Sequence, residues 1–292
     1  MSTVDDLAPV VVHDSGQESR RERLRLVLRS RTFLAGAVIV VFWVLCALFG
    51  PALVPYDPYA DDILNKLQPP SSEHWFGTDR LGRDVFSRVI VGARDILIVA
   101  PLAALLGTVL GTALGLVTGY FRGVTDDVIM RVVDAFLAIP VVIFGLLALT
   151  ALGPSQLSVI VVIGIVFTPI IARTVRAAVL SERELEYVEA ARLRNERAPY
   201  ILAGEILPNV LGPVLVEFTV RVGYAIFAIA TLSFLGVGIQ PPAPDWGLQI
   251  FENYGQLVAG DWWPTFFPAL AISTLVVGVN LVADGLTQAF ER

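Results

Sequence analysis

Six long apolar runs, separated by polar connectors, dominate this chain and restrict it more than any other feature. A run of about 20 apolar residues is long enough to cross roughly 30 Å of hydrocarbon as a helix. Lipid offers the backbone no hydrogen-bond partner, so each run must close its own hydrogen bonds. A transmembrane β-barrel is excluded by pattern, because its strands alternate apolar and polar residues, whereas these runs are apolar on every face. Composition agrees: 55% of the residues are hydrophobic, 16% are charged and the mean hydropathy is +0.70. The expected fold class is an all-α integral membrane protein of six transmembrane helices. The single cysteine, Cys46, lies in the first run and excludes both a disulfide framework and a thiolate metal cluster.

Residues 1–31 form a polar tail ending in a cluster of Arg20, Arg21, Arg23, Arg25, Arg29 and Arg31, which reads as a short basic helix at the membrane surface. The first span is expected at Phe33 to Val54; it is too long for the apolar part of a signal peptide and no small-residue cleavage site follows it. A proline- and serine-rich loop of about 55–95 leads to span two, near Ile96 to Gly119, where Gly107, Gly111, Gly115 and Gly119 recur every four residues. Such a stripe lets another helix approach closely. Span three, near Val128 to Leu152, contains Pro140 and should break or bend there. Span four is expected near Ser158 to Leu180, kinked at Pro169, span five near Val210 to Leu235 and span six near Trp262 to Phe290. Six spans place both termini on one side. That side collects 15 of the 21 Lys and Arg residues, the other side five, all in one loop, and Arg221 lies inside a span. The positive-inside bias therefore puts the termini and the segment 181–209 in the cytoplasm.

That segment reads SERELEYVEAARLRNERAPYILAGEILPN. It is too charged for lipid but strongly helix-forming, with Glu182, Glu184 and Glu186 at its start, where a helix dipole favours anions. Pro199 and Pro208 divide it, so it reads as two short helices meeting near Asn195 to Pro199. Glu189-Ala190-Ala191, followed by Ile206-Leu207-Pro208-Asn209, resembles the coupling motif of ABC-importer permeases. FGTDRLGRDVFSR at 76–88, LSFLGVGIQPPAPDWG at 232–247 and WWPTFFPALAI at 262–272 resemble the C-type permease of the dipeptide, oligopeptide and nickel importers. The match covers nearly everything after about Arg29.

The resemblance implies that Glu186, Tyr187, Glu189, Ala190, Ala191, Arg192 and Asn195, with Leu207 and Pro208, couple the chain to a separate ATPase. It implies further partners: a second, B-type permease, an external substrate-binding protein and a peptide cargo, in a bacterial inner membrane and without nucleic acid. Nickel, heme or glutathione are alternative cargoes. The family usually has glycine at the position of Asn195. Asparagine is the residue after glycine that best tolerates a left-handed turn, so the turn is expected to survive.

Glu217 and Arg221 stand four apart in span five, on one helix face. Charges at that depth are costly and usually face a bundle interior or an aqueous path, so they are candidates for the translocation path as well as for a self-neutralised packing pair. In the resembled subfamily the position of Arg221 is commonly small, and Ile229 stands where glutamate is common. Asp134 and Asp284, nearer span ends, are weaker candidates. His74, Asp79 and Asp84 could be drawn as a metal site, but one histidine among salt-bridged carboxylates is more often structural. An ion-coupled transporter calls for repeats and embedded carboxylates, and only Glu217 fits. A membrane enzyme lacks its constellation, since the only histidines are His13 and His74. No G-x-x-x-x-G-K-[ST] pattern occurs, so no P-loop ATPase site is expected and no cofactor is assigned to the chain itself; ATP and magnesium belong to partner subunits.

Overall fold

The computed structural model describes residues 30–290, and the expectations for the tail before Ser30 and for Arg292 fall outside them. Nine helices are named: α1 Arg31–Leu53, α2 Val85–Phe121, α3 Val124–Leu137, α4 Val141–Leu152, α5 Gln156–Glu182, α6 Glu186–Leu193, α7 Ala198–Phe234, α8 Trp246–Asn253 and α9 Trp263–Phe290. Five of them (α1, α2, α5, α7 and α9) are each long and apolar enough to cross a membrane. Their outward faces are apolar too: Val38, Phe42, Leu48, Leu105, Val109 and Phe227 are all exposed, as suits contact with lipid or another apolar chain.

The glycine stripe decides the topology. Along α2, Gly107 meets Gly164 and Phe167 of α5, Gly111 meets Thr168 and Ile171, Gly115 meets Ala172 and Val175, and Gly119 meets Val179. A Cβ added at Gly111 would lie 2.6 Å from the Ile171 Cβ, so only glycine allows this approach. The partners advance in step with the stripe, and α2 and α5 therefore run parallel. Gln156 donates to Asp95 at one end (3.1 Å), and Arg183 donates to the Tyr120 carbonyl at the other (2.6 Å). Parallel neighbours require the chain between them to travel back across the bundle. α3 and α4 do this, with 14 and 12 residues, a break at Pro140 and a bend of 89°. At about 21 and 18 Å neither crosses alone, so the two together form one broken span, the sixth.

α1 and α9 pack antiparallel through small residues: Gly36 lies against Gly278 and Val282, and Gly285 against Phe33. The start of α1, the end of α9 and α6 consequently share one face of the molecule. The opposite face is a folded cap made of residues 55–84 and 236–262. Its centre is a buried ion cluster in which Arg83 binds Asp79 (2.7 Å) and Glu252 (2.5 Å), and Arg88, fully buried, faces the same two carboxylates at 3.9 and 3.8 Å. Burial works against the charge on Arg83, but Asp79 and Glu252 outweigh it and hold its pKa above the ordinary value. Trp246 donates its indole N–H to the Val89 carbonyl (2.8 Å) and Trp263 to that of Thr78 (3.0 Å). These tryptophans therefore act as bolts of the cap, while Trp262 stays half exposed.

Two boundaries differ from the sequence reading. α2 begins at Val85 rather than near Ile96, so residues 85–95 leave the loop; the cap buries Val85, Ser87, Arg88 and Val89, and this tertiary burial lets polar residues start the helix. Pro208 does not interrupt the chain after α6. A π-helical turn at Ile201–Ile206 lies just ahead of it within continuous α7, where the proline's missing N–H would leave a gap in the α-helical ladder. The Asn209 side chain donates to the Glu205 carbonyl (2.8 Å) at the same place. Pro169 likewise lies inside uninterrupted α5.

Candidate functional site

α6 is a two-turn helix projecting from the bundle. Its charges suit its dipole, with Glu186 and Glu189 in the first turn and Arg192 in the last. It ends in a Schellman motif: the Asn195 N–H binds the Arg192 carbonyl (2.9 Å) and the Glu196 N–H binds that of Ala191 (3.2 Å). Asn195 sits at φ +56°, the left-handed conformation expected for it. One face of α6 is anchored, since Val188 and Ala191 are fully buried in the same core as Ile201 and Ile206 of the π-helical turn. The other face carries Glu186, Glu189, Ala190, Arg192 and the 79% exposed Leu193.

The structure thus divides the predicted coupling residues. Glu186, Glu189, Ala190, Arg192 and Asn195 are presented outward. Ala191 faces inward, where only a small side chain fits between α6 and the bundle; it seats the helix and offers nothing to a partner. Tyr187 is half buried and donates to Glu182 (2.7 Å); burial, then the Glu182 carboxylate, pushes its pKa up to about 12, so it stays a neutral donor. Leu207 is half buried and Pro208 exposed, both at the foot of α7.

α6 is tied to three spans. Its Arg192 guanidinium lies 5.0 Å over the ring of Tyr120 in the last turn of α2. Arg183, in the link from α5, donates to the Gly119 and Tyr120 carbonyls and so caps α2 with a cation at its negative end. Arg194 pairs with Glu205 of α7 (3.2 Å). Arg183 and Tyr120 went unnoticed in the sequence. Their signal was weak, because a cation that caps another helix's C-terminus leaves no pattern in its own segment.

In mid-span, Glu217 and Arg221 form the expected intrahelical pair, with Nε and Nη2 at 2.7 and 2.5 Å from one carboxylate oxygen. Phe167 of α5 and Tyr224 stand beneath the guanidinium, 5.9 and 5.1 Å from ring centre. Arg221 lines a cavity of about 440 Å³ between α4, α5 and α7, with Glu217 one helical turn before it in α7. Asp134 is instead bound to Arg173, and Asp284 is exposed near the end of α9. In the cap, His74 Nδ1 meets Asp84 at 2.9 Å while Asp79 turns to Arg83, so the three residues do not converge on a common point.

Comparison with known proteins supplies the context for these surfaces. Residues 111–292 match the family model described as binding-protein-dependent transport system inner membrane component, and residues 21–70 match that of the N-terminal TM domain of oligopeptide transport permease C. The dipeptide transport system permease protein DppC of Bacillus subtilis (strain 168) is 36% identical over 91% of this chain and 83% of its own. The probable D,D-dipeptide transport system permease protein DdpC of Escherichia coli (strain K12) is 37% identical over 88% of this chain and 86% of its own. The glutathione transport system permease protein GsiD of Pectobacterium atrosepticum is 37% identical over 97% of this chain and 94% of its own.

Proposed function

Because the chain belongs to the family of inner membrane components of binding-protein-dependent transport systems, we propose that it is the C-type permease of an ATP-driven importer of dipeptides and other short peptides, and that α6 is the point at which the ATPase drives it. The carrying observation is the construction of α6: Val188 and Ala191 are buried in the core, Arg192 and Arg194 reach α2 and α7, Arg183 in the preceding link from α5 holds the end of α2, and the exposed Glu186 and Glu189 have no ion-pair partner among the described residues. A push on α6 is thereby delivered to three spans at once. Nucleotide and magnesium would be held by the partner ATPases, and a second permease would complete the path. The charge bias puts α6 and both termini in the cytoplasm, and the cap then faces the external binding protein.

Glutathione is a second cargo reading, favoured by the glutathione permease among the relatives and consistent with a path for a small charged peptide. The test of coupling is Glu189→Lys in the assembled importer. Dipeptide uptake is expected to fall below about a hundredth of wild type, since one reversed charge in a desolvated contact costs several kcal/mol, while the permease stays in the membrane at its normal level. Undiminished ATP-dependent uptake by that variant would overturn the role of α6. Measuring dipeptide and glutathione uptake side by side separates the two cargo readings.

A further inference from the structure

The mid-span pair is not explained by packing alone. Two membrane helices can pack with small or apolar residues and need no ions between them. Exchanging a buried ion pair for apolar residues of similar volume is often neutral or stabilising. Yet Glu217 and Arg221 lie near the middle of α7, and Phe167, which stands beneath the guanidinium, lies near the middle of α5. Two independent helices thus locate the charges deep in the bundle.

Their hydrogen bonding is also half used. A guanidinium has five N–H donors and a carboxylate two oxygens. Among the described residues, Arg221 hydrogen-bonds to Glu217 alone, through Nε, and its Nη2 lies 2.5 Å from the same oxygen as an ion-pair contact. The Nη1 donors and the second oxygen have no hydrogen-bond partner there. The aromatic faces of Phe167 and Tyr224 hold the guanidinium plane, and Arg221 meets a cavity of about 440 Å³ whose walls are largely apolar, including Val142, Val166 and Phe227, with Thr231 and Tyr224 adding hydroxyls. This is an ordered cation and anion, side by side, over an apolar floor.

We propose that Arg221 and Glu217 form a mid-membrane subsite for zwitterionic cargo, Arg221 taking its carboxylate, Glu217 its ammonium group and the apolar floor a side chain. The inference rests on the peptide reading above. It gives the pair a role beyond packing: the site is complementary to a cargo bearing both charges and offers little to an apolar one.

The experiment is uptake of a zwitterionic dipeptide by the complete importer in proteoliposomes, with wild type, Arg221→Gln, Arg221→Lys, Glu217→Gln and the swapped double variant Glu217→Arg with Arg221→Glu. The swap keeps the intrahelical pair and the net charge but exchanges their positions. Arg221→Gln is expected to lower uptake at least about tenfold, since a hydrogen bond to a charged group is at stake. Arg221→Lys should keep part of the rate, Glu217→Gln should lower it less than Arg221→Gln, and the swap should fail to restore it. Restoration by the swap would mean that the pair only packs, and would overturn the proposal; so would unchanged uptake in Arg221→Gln. If Arg221→Gln does not assemble, the isosteric Glu217→Gln decides, and wild-type uptake in that variant overturns the site. Wild-type importer that moves no peptide at all would overturn the cargo reading and this subsite with it, whereas a working wild type with indifferent variants overturns the subsite alone.

Discussion

On the cap face, Arg83 and Arg88 are buried and held by Asp79 and Glu252, and two indole N–H groups reach backbone carbonyls more than 150 residues away. On the α6 face, several ion pairs are exposed, as Arg122 with Glu184 and Arg194 with Glu205, and the more buried one, Arg176 with Asp126, joins α5 to α3 rather than α6. A buried pair is costly to disturb, because removing one partner strands the other's charge, whereas an exposed pair contributes about 0 to 1 kcal/mol. The cap is therefore fastened by its own residues. α6 is held mainly by the burial of Val188 and Ala191, which leaves its polar face free for another protein.

The comparison can be broken in stages. Glu252→Ala should have the largest effect, destabilising the cap by about 3 to 5 kcal/mol because Arg83 and Arg88 lose a buried counter-charge; thermal unfolding of the purified protein, with protease sensitivity of the cap, is the readout. Next is Gly115→Val, whose Cβ would sit 2.7 Å from that of Val175 and force α2 from α5, with an expected loss of about 1 to 3 kcal/mol from overpacking. The Asp245 side chain caps α8 by accepting from the Leu248 N–H (2.8 Å) and is fully buried, which pushes its pKa up from 3.8 to about 6. The folded state therefore binds this proton more tightly than the unfolded state. Its stabilising contribution is complete below about pH 4 and is lost as the pH rises through about 6. Cap unfolding followed between pH 4 and 7 should show this slope, and Asp245→Asn should flatten it. The smallest effect belongs to Arg192→Ala, which should change stability by less than about 1 kcal/mol, as an exposed cation over an aromatic ring does. A large loss there would show that α6 is fastened as firmly as the cap and would erase the contrast.

Much of this was legible in the residues. The apolar runs announced the spans, most of them to within a few residues although α2 and α7 begin about ten residues earlier than expected, Pro140 announced the break in span three, and Asn195 announced the left-handed turn that ends α6. Each is a local property: the length of an apolar run, the missing N–H of a proline, the tolerance of asparagine for positive φ. The misses share another physics. The early start of α2 depends on cap residues that bury Ser87 and Arg88, and the continuity of α7 through Pro208 depends on a π-helical turn. The inward turn of Ala191 depends on which side of α6 meets α7.

By itself, then, the sequence determined that this chain is a bundle of helices in lipid, with an exposed charged knob between spans four and five and an ion pair one turn apart in span five. Local rules suffice for those statements, because hydropathy, proline chemistry and i,i+4 spacing act within a few residues. Only the tertiary structure decided that the glycine stripe of α2 packs directly on α5, and that the break between α3 and α4 bends the third span by 89°. It also decided that Arg183, in the link after α5, caps α2, and that Arg221, paired with Glu217, lines a cavity with several of its N–H donors unused. Those facts concern residues far apart in the chain, and close packing between helices, not any local preference, brings them together.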